Sequence, residues 1–483
     1  MLGQIEKKQQ IESARQRVGW VYRDLLWFAE EETKQANQQR NELLEALADW
    51  VNFGCLRTKP HSGPLSPGCI ICGTGGWGCN FINGLCTRRC FYCPQEHMKT
   101  EREPQTDSII FKNPQEHISF IKIFQIRGVG FSGGEPLLAL DRLLAHIKAI
   151  RQEFGNSVYL WIYSNGDRLN RGRLEMLQKA GLDEVRFDIS ARKYDLGPVY
   201  LAKEYIPTVT VEIPAIPEDF DLVKGLLGKM EAAGVNFLNL HQLMATEYNY
   251  KAFRRRNYHF LHQPHIAVFE TEICALRLLL FARENQISLP INYCSSIYKS
   301  RFQGRDVRTR KSRILIKGFE EITNAGYIRS FRVLDAKDKL ASLVHRLEGA
   351  NCPPDRWQSD ERQTEVAIHS ELLPYVDWSS ADVALLYWEP GIRLKEPEQG
   401  LTEGNIAPKN IKVYQEDEWS QAAIETWRQL YQEKANPKEA FKSFYQDYPV
   451  GRKDAVAKMQ KEAHELKKLA EWEELESGLP EIY

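Results

Sequence analysis

The sequence has no long apolar segment and no excess of charge of either sign. Its 483 residues include 64 Lys and Arg against 65 Asp and Glu, which gives a formal net charge of −1. This balance argues against a protein whose whole surface binds a polyanion. No apolar run reaches the roughly 18 residues that span a bilayer, and the polar residues 1–17 lack the apolar stretch of a signal peptide. We therefore expect a globular, cytoplasmic protein with no membrane partner.

The ten cysteines are unevenly distributed. Because disulfides are rare in the cytoplasm, we expect these thiols to bind metal, to do redox chemistry or to be buried. Packing alone explains scattered cysteines, but it is a poor explanation for six of them within 25 residues. The clustered residues are Cys69, Cys72, Cys79, Cys86, Cys90 and Cys93, and the scattered ones are Cys55, Cys274, Cys294 and Cys352. The clustering predicts a metal site between residues 68 and 94.

Short apolar runs alternate with helical patterns from residue 81 to residue 242. Such alternation is typical of βαβ units and a parallel sheet. The predicted fold is α/β, a partial (β/α)6 barrel of the TIM type, in which functional residues lie at the carboxyl ends of the strands. The predicted strands are 81–85, 128–132, 158–163, 184–189, 209–213 and 237–240, and the helices between them are 114–124, 138–153, 171–180 and 219–233.

The segments before and after the barrel predict additional domains and extensions. We predict a helical N-terminal extension at 1–53, the barrel core at 54–297, an α+β accessory region at 298–415 and a charged helical segment at 416–483. The last segment, above all 453–476, carries opposite charges at i,i+4 spacing, as in a solvated or partner-binding helix. Within and just before the accessory region we predict a helix at 268–285, a strand at 289–293, a basic loop at 301–313, paired strands at 314–316 and 327–333, and a strand at 383–388.

One cysteine motif carries a specific chemistry. Cys86, Cys90 and Cys93 form a C-x3-C-x2-C pattern directly after the first predicted strand. Three thiolates on one short loop can ligate three irons of a [4Fe–4S] cluster and leave the fourth iron open. An open iron can accept a ligand, whereas clusters with four cysteines mainly pass electrons. A fourth cysteine that closes the cluster, or a zinc site, is the alternative.

Polar motifs follow the other predicted strands in order. Each motif alone is weak evidence, but their succession after the cysteine motif is highly specific. They are Gly133–Gly134–Glu135–Pro136 after the second strand, Ser164–Asn165–Gly166 after the third, Asp188 and Ser190 after the fourth, Glu212–Ile213–Pro214 at the fifth, and His241–Gln242 at the sixth.

With these motifs the chain resembles the radical S-adenosylmethionine (SAM) superfamily over about residues 68–294. The runs at 212–217, 236–242 and 292–296 are similar to the branch related to pyruvate formate-lyase activating enzymes. The resemblance implies a (β/α)6 radical SAM barrel and reductive cleavage of SAM to a 5′-deoxyadenosyl radical. A barrel interior closed by substrate would keep such a radical dry.

The resemblance also implies a role for each motif. Cys86, Cys90 and Cys93 would ligate the [4Fe–4S] cluster, and Tyr92 would lie along the adenine, with its backbone at the base edge. The other expected SAM contacts are Gly133, Gly134 and Glu135 for the methionine amino group, Ser164, Asn165 and Glu212 for the ribose and carboxylate, and Asp188 and His241 at the neighbouring strand ends.

The remaining cysteines leave a second metal centre open. Cys69 and Cys72 form C-x2-C, a common half-site for zinc or iron–sulfur. Cys79 would be the third ligand of a second iron–sulfur or zinc centre. Either Cys294 or Cys55 would complete it. The alternative is that these thiols pack against the loop of the first cluster. Cys274, inside an apolar helical run, is predicted to belong to the core.

Cys352 stands alone before two prolines in a polar loop. In radical SAM peptide epimerases, which the chain resembles in this respect, a lone cysteine gives a hydrogen atom to the far face of a Cα radical. A thiol can do so because its S–H bond is weak. Cys352 is therefore the candidate catalytic hydrogen donor, and an incidental loop thiol is the alternative.

Two basic stretches interrupt the neutral sequence, residues 254–256 and 301–313. They suggest an anionic partner, which would be nucleic acid, an acidic peptide leader or a small acid. Arginines that are solvated or paired within the protein are the alternative. Nearby Tyr248, Tyr250 and Tyr258 would suit stacking on bases or gripping a peptide, and core packing explains them equally well.

The leading hypothesis is an enzyme that abstracts hydrogen from a carbon of a peptide or protein. Its most concrete form is L-to-D epimerisation in a ribosomally synthesised peptide, as in proteusin-type epimerases. The alternatives are activation of a glycyl-radical enzyme, RNA modification guided by the basic loop, and non-enzymatic iron–sulfur binding. The expected partners are a peptide or protein substrate and a low-potential electron donor such as flavodoxin or ferredoxin, with nucleic acid less favoured.

Overall fold

The computed structural model describes residues 11–483 except 13, 17, 397, 398, 400, 403, 404, 409, 410, 420, 434–460, 463, 464, 467 and 468. Contacts between Cα positions divide the chain into two compact units. The first comprises Met1–Gly304, Glu398–Glu403 and Ser477–Tyr483, and the second comprises Arg305–Pro397 and Gly404–Glu476. Among the helices formed by the described residues, none is long and apolar enough to cross a bilayer.

Seven parallel strands form the centre of the main sheet in the first unit, and each pairs with the next one along the chain. Successive βα units that wind in one direction produce this order. Antiparallel strands extend both edges, Lys59–Ser62 and Asn52–Phe53 beyond the last parallel strand, Gln105–Thr106 and Ile109–Ile110 beyond the first. We label the parallel strands β1 (Trp77–Phe81), β2 (Gly128–Ser132), β3 (Tyr159–Ser164), β4 (Glu184–Phe187), β5 (Thr208–Pro214), β6 (Phe237–His241) and β7 (Ile291–Cys294).

The parallel strands are buried on both faces. Val129, Leu160, Val185 and Leu238 are fully buried on four different strands. Burial on both faces is normal in a parallel sheet, because the crossover helices cover it. The core of the first unit therefore lies along this sheet, and its polar groups are concentrated where the strands end.

The helices of the first unit begin and end at recognisable signals. In helix Arg171–Ala180, the Asn170 side chain caps the start by accepting from the Arg173 N–H at 2.9 Å, and Gly181 ends the helix with a φ of +90°. Such capping satisfies backbone groups that the helix leaves unpaired. The α-helices are Glu30–Leu47, Gly54–Arg57, Pro67–Gly73, Pro114–Ile123, Leu140–Phe154, Arg171–Ala180, Gly197–Ala202, Phe220–Lys224, Leu227–Ala232, Tyr250–Arg254, Phe269–Glu284 and Ser296–Tyr298.

Shorter elements complete the first unit. The 3-10 helices are Gly19–Asp24, Pro136–Ala139, Ile189–Arg192 and Pro217–Asp219, and Lys299–Gln303 is a π-helical turn. A small separate sheet joins Leu26–Trp27, His259–Leu261 and Ala267–Val268.

The second unit is built on an antiparallel sheet. Its core contains the fully buried side chains of Tyr387, Trp419 and Trp427. The strands lie in the order Trp357–Ser359, Glu365–Ile368, Ile328–Leu334, Asp382–Glu389 and Ile411–Trp419, with Glu320–Ile322 paired to Ile328–Leu334 and a separate hairpin of Ile392–Leu394 and Ile406–Pro408. The helices are Gly304–Leu315, Lys337–Gly349, Gln421–Trp427 and Ala470–Glu473, with a 3-10 helix at Ser370–Tyr375 and a π-helical turn at Arg428–Gln432.

The predicted fold class is confirmed, and most predicted elements fall within a few residues of the observed ones. The strand predicted at 289–293 is β7, a seventh parallel strand in the same sheet. The N-terminal ten residues and much of the predicted helix at 453–476 lie outside the described residues, and in that segment the described residues 461, 462, 465 and 466 and Ala470–Glu473 are helical. The predicted domain limits stay predictions.

The first predicted strand is wrong by four residues. The strand is Trp77–Phe81 instead of 81–85, because the chain turns at Asn83. The Asn83 side chain accepts from the Leu85 N–H at 2.5 Å and donates to the Glu135 carbonyl at 3.0 Å. Three glycines in and just before the observed strand interrupt the apolar run, so the sequence pattern does not reveal this strand.

The predicted strand at 314–316 and the predicted basic loop at 301–313 are also wrong. Both belong largely to helix Gly304–Leu315, and the Ile316 N–H continues its pattern by bonding the Ser312 carbonyl at 2.8 Å. Arginine is a good helix former, so a basic stretch is not a signal for a loop. The strand that pairs with Ile328–Leu334 here is Glu320–Ile322.

Candidate active site

A cavity of about 440 Å³ opens where the parallel strands of the first unit end. This volume lies in the range of small-molecule sites, roughly 300–1,000 Å³. The structure brings eleven of the predicted cluster and SAM residues together in its lining, namely Cys86, Cys90, Tyr92, Cys93, Gly133, Gly134, Ser164, Asn165, Asp188, Glu212 and His241. Their individual roles remain predictions.

The three cysteines of the motif lie on one loop at the cavity. Cys86 is exposed, and Cys90 and Cys93 are partly exposed. The Cys86 sulfur accepts from the Arg88 N–H at 3.4 Å, and Arg88 itself forms a two-point ion pair with Asp167 at 2.6 Å. Burial raises the pKa of all three thiols, that of Cys90 to about 11. A bound metal would reverse this trend, since coordination deprotonates a thiol.

Among the described residues, no three His, Cys, Asp or Glu side chains lie close enough together to coordinate one metal ion. The donor set of the loop nevertheless fits a cluster, because three thiols on eight consecutive residues reach the same cavity.

The Gly133–Gly134 turn forms the wall beside the cysteine loop. Gly133 has a φ of +85° and Gly134 a φ of +66°, values that other residues rarely adopt. A Cβ on Gly133 would lie 2.5 Å from the Asn83 carbonyl oxygen, and one on Gly134 would lie 2.0 Å from the Leu85 carbonyl oxygen. Only glycine therefore lets the end of β2 approach the segment that leads into Cys86. The residues present thus leave a backbone-lined space suited to SAM.

Glu135 is the predicted SAM contact that does not line the cavity. Its side chain is fully buried and accepts from the Ser164 hydroxyl at 2.9 Å, the Asn165 N–H at 2.8 Å and the Leu137 N–H at 3.2 Å. Burial raises the pKa of this carboxyl to about 6. In the structure Glu135 joins the ends of β2 and β3, and its predicted contact with the methionine amino group stays a prediction.

Tyr92 is held at both ends. Its hydroxyl donates to Asp188 at 2.8 Å and lies 2.6 Å from the Ser190 hydroxyl oxygen, while its carbonyl accepts from the Asn249 side chain at 3.1 Å. Burial and the Asp188 carboxylate raise the pKa of Tyr92. The tyrosine ring is therefore fixed in the cavity wall in its neutral form.

Charged side chains surround Glu212 on the opposite wall. Arg186 and Asn239 each donate to Glu212 Oε2 at 2.9 Å, and His241 Nε2 lies 2.7 Å from Oε1. Burial alone would raise the pKa of Glu212, but the Arg186 and His241 charges lower it overall. Arg186 also pairs with the buried Glu184 at 2.9 Å. The wall is thus a compact network in which Glu212 is ionised.

Some cavity and network residues were not predicted from sequence. Arg186 lies in the middle of a buried strand, and a charge at such a position is a signal for a buried ion pair. Asp167, Tyr163 and Lys299 carry no comparable pattern, because tertiary contacts decide which of their neighbours surround the site. Asn249 reaches Tyr92 from 157 residues along the chain.

The other cysteines of the predicted second centre hydrogen-bond to protein groups. Cys294 accepts from the Lys59 ammonium at 2.9 Å, and Cys72 accepts from the Tyr298 hydroxyl at 2.9 Å. The sulfur of Cys69 lies 3.4 Å from the Asn239 side-chain nitrogen. A buried ammonium next to a thiol competes with a metal cation for that thiol. The second metal centre stays a prediction.

The candidate hydrogen donor Cys352 belongs to the second unit. It is partly buried against the core of that unit, and its N–H bonds the Leu347 carbonyl at 3.0 Å just after helix Lys337–Gly349. The Tyr375 hydroxyl lies close to its side chain. Its catalytic role stays a prediction.

Several arginines of the two basic stretches have partners within the protein. Arg308 donates to the Ala325 carbonyl at 2.8 Å, Arg254 lies 3.3 Å from Asp24, and the Arg256 guanidinium lies 3.6 Å from the centre of the Phe91 ring. These contacts favour the alternative of internally paired arginines over a dedicated anionic partner.

Comparison with known proteins agrees with this site. Residues 81–212 match the family model described as the Radical SAM superfamily. Residues 81–212 therefore carry a radical SAM sequence match, which supports radical SAM enzyme chemistry with the [4Fe–4S] cluster and SAM that are typical of that superfamily.

Two curated relatives align with the chain. A protein of Methanocaldococcus jannaschii, provisionally named a glycyl-radical enzyme activating enzyme, is 29% identical over 296 residues, which cover 59% of this chain and 78% of the relative. The S-adenosyl-L-methionine-dependent 2-deoxy-scyllo-inosamine dehydrogenase of Niallia circulans is 29% identical over 103 residues, 21% of this chain and 40% of that protein.

Solved structures with partial likeness include SuiB of Streptococcus suis bound to S-adenosylmethionine, with 11% identity and a TM-score of 0.32 over 45% of this chain and 49% of that one. The methyltransferase TsrM of Kitasatospora setae has 16% identity and a TM-score of 0.28 over 36% and 38%. The chain thus spans less than half the length of these two structures.

Proposed function

We propose that this protein activates a partner enzyme by taking a hydrogen atom from the Cα of a glycine in it. The observation that carries this proposal is the alignment of 296 residues with the relative named as a glycyl-radical enzyme activating enzyme, which covers 78% of that relative. The order of the hypotheses from sequence is thereby reversed, because peptide epimerisation came first there and activation second.

The residues of the chain would serve this reaction by holding and orienting its components. When bound, the cluster and SAM supply a radical that removes hydrogen from unactivated carbon. Cys86, Cys90 and Cys93 would hold the cluster, and the Gly133–Gly134 turn leaves space for the methionine part of SAM. The strand ends and a docked substrate segment would exclude water, which protects the radical.

The proposal also requires a reductant. One electron per turnover must come from a low-potential donor, and we propose flavodoxin or ferredoxin as the partner that supplies it. Cys86 is the most exposed of the three cysteines, so the loop lies near enough to the surface for electron transfer.

Epimerisation of a ribosomally synthesised peptide is the weaker proposal. It depends on Cys352 as hydrogen donor, and the contacts of that residue are those of a thiol packed on a core. RNA modification is weaker still, because several arginines of the basic stretches are engaged inside the protein.

Isotope transfer tests the proposal. The reconstituted, reduced holoenzyme and SAM are mixed with a soluble extract of the source cells grown on glycine deuterated at Cα. The reaction breaks the glycine C–D bond and places deuterium in 5′-deoxyadenosine, which mass spectrometry detects, while electron paramagnetic resonance detects a protein radical that has lost its α-hydrogen splitting. Cys86→Ser serves as the inactive control.

Two outcomes would contradict the activase proposal. One is 5′-deoxyadenosine without deuterium and without a protein radical. The other is solvent deuterium at the Cα of a diamagnetic peptide after reaction in D2O, which would favour epimerisation.

A further inference from the structure

Lys299 brings a positive charge to the cavity from the side of β7. It is the first residue of the π-helical turn Lys299–Gln303, and its N–H bonds the Ser295 carbonyl at 3.3 Å. The side chain lines the cavity. Its ammonium group makes no hydrogen bond and no ion pair with any residue in the described part of the chain. The Lys299 ammonium in the cavity is therefore a hydrogen-bond donor for which the described residues provide no acceptor.

The acidic groups of the charged wall are already engaged. Both oxygens of Glu212 have partners, one with Arg186 and Asn239 and the other with His241. Glu184 pairs with Arg186, and Lys59 donates to Cys294. Burial lowers the pKa of the Lys299 ammonium, as expected for a cation held away from water without a partner. An anion that enters the cavity would relieve this cost.

The position of Lys299 separates it from the cysteine loop and the Gly133–Gly134 turn, whereas the predicted SAM contacts Glu212 and His241 lie on its own side of the sheet. In the described sheet β7 lies five strand steps from β2, at the other end of an open row of parallel strands. Neighbouring strands are about 4.8 Å apart, so the two ends lie well apart even in a curved sheet. The cysteine loop and the Gly133–Gly134 turn, which would hold cluster and methionine, follow β1 and β2. Lys299 thus faces the cavity from the side away from the cysteine loop, where a substrate segment could meet the cofactors.

We propose that Lys299 is a specificity-determining residue that binds a carboxylate of the substrate. Given the proposed function, on which this part rests, the carboxylate is an Asp or Glu side chain next to the target glycine of the partner protein. An ammonium in a poorly solvated cavity prefers a carboxylate to a neutral carbonyl, because a charged acceptor gives the stronger hydrogen bond. The substrate class is therefore an acidic, glycine-containing segment.

Chemical labelling of wild-type protein tests this without turnover. Cluster-loaded holoenzyme reacts with cyanate at one fixed pH, and peptide mass spectrometry measures the carbamylation rate of Lys299. The probes are two matched peptides, N-acetyl-Gly-Asp-amide and N-acetyl-Gly-Asn-amide, each added with and without SAM. Lys122 on the surface is the internal control.

We expect the Asp peptide with SAM to slow labelling of Lys299 by about tenfold, which corresponds to a peptide concentration near ten times its dissociation constant. The Asn peptide and SAM alone should leave the rate within about twofold, since the Asn peptide has no carboxylate and the carboxylate of SAM is expected to lie with its methionine part near the Gly133–Gly134 turn. Equal protection by both peptides, or by neither, would overturn the proposal. Protection by SAM alone would assign Lys299 to the methionine carboxylate and would also overturn it.

Variants give a second measurement. Titration calorimetry of the Asp peptide should show at least about tenfold weaker binding to Lys299→Met, partial retention in Lys299→Arg, and wild-type binding in the surface control Lys122→Met. Unchanged affinity in Lys299→Met would refute the proposal. These binding measurements test the role of Lys299, whereas the deuterium-transfer experiment tests the activase proposal. Either experiment can therefore fail while the other succeeds.

Discussion

The two sides of the cavity are built by different means. On the side of β1–β3, the wall includes the thiols of the cysteine loop and the backbone of the Gly133–Gly134 turn, and Glu135 is buried behind them with no cationic partner among the described residues. On the side of β4–β7, the wall is a network of charges around Arg186. Burial raises the pKa of both carboxyls at these strand ends, so the presence or absence of a cationic neighbour decides the net shift. The pKa of Glu135 is raised to about 6, whereas a neighbouring guanidinium holds that of Glu212 below its usual value.

Under the proposed function, the first side would hold the cluster and the methionine part of SAM, and the second side, which carries the predicted SAM contacts Asp188, Glu212 and His241, would also meet the substrate. Backbone and thiol groups suit cofactors that are the same in every turnover, while a charged wall can select among substrates. Four substitutions test whether the two sides differ in this way.

The largest effect is expected for Cys86→Ser on the cofactor side. Loss of one of three thiolates should remove the cluster, and with it formation of 5′-deoxyadenosine. Iron analysis after anaerobic reconstitution measures it, with Cys352→Ser as the control that keeps its iron. We expect about four irons per wild-type chain, as in one [4Fe–4S] cluster. A count of about eight would instead support a second centre formed by Cys69, Cys72, Cys79 and Cys294.

Arg186→Met should have the largest effect on stability on the charged side. It leaves Glu184 and Glu212 buried without their common cation, and breaking a buried ion pair costs about 3–5 kcal/mol. Urea denaturation followed by tryptophan fluorescence gives the free energy of unfolding. Arg102→Met is the matched control, since its pair with Glu96 is about half exposed and contributes less than about 1 kcal/mol. Equal losses in the two variants would show that the charged wall is not a buried network.

Gly134→Ala should disturb the cofactor side through geometry alone. The added methyl would lie 2.0 Å from the Leu85 carbonyl oxygen at a φ of +66°, so the turn must move and cost about 1–3 kcal/mol. SAM affinity, measured by equilibrium dialysis, should fall as well. Gly228→Ala is the control, because a Cβ there meets nothing within 4 Å in a helical segment. Normal SAM binding by Gly134→Ala would show that the turn does not shape the cofactor space.

The smallest effect concerns the pH dependence that Glu135 confers. Its pKa is raised from 4.5 to about 6 on folding, so the protonated form is favoured in the native state. The stability this gives is fully present below pH 4.5 and is lost as the pH rises through about 6, an effect of about 2 kcal/mol. Glu135→Gln should flatten that part of the stability curve, measured as urea midpoints between pH 4.5 and 6.5. Exposed Glu153→Gln should leave the curve unchanged, and an identical slope in Glu135→Gln would refute this reading of the site.

Much of this architecture could be predicted from the sequence, for local reasons. The alternation of apolar runs and helical patterns predicts the parallel sheet, because the period of a strand or helix is written in neighbouring residues. The cysteine spacing predicts the cluster loop, because three ligands lie within one short segment. The first strand and the strand at 314–316 were placed wrongly, since glycines weakened one pattern and helix-forming arginines disguised the other.

The rest of the site depends on contacts between distant segments. The burial of Glu135 follows from Ser164 and Asn165 reaching it across β2 and β3, which no local pattern shows. The same holds for Asn249 at Tyr92 and for Lys59 at Cys294, which is 235 residues away. Sequence alone determined the chemistry available, namely three clustered thiols and a succession of polar strand ends. Only the tertiary structure decided which polar groups neutralise one another and which, like Lys299, face the cavity, because charge pairing depends on distance in space and not on distance along the chain.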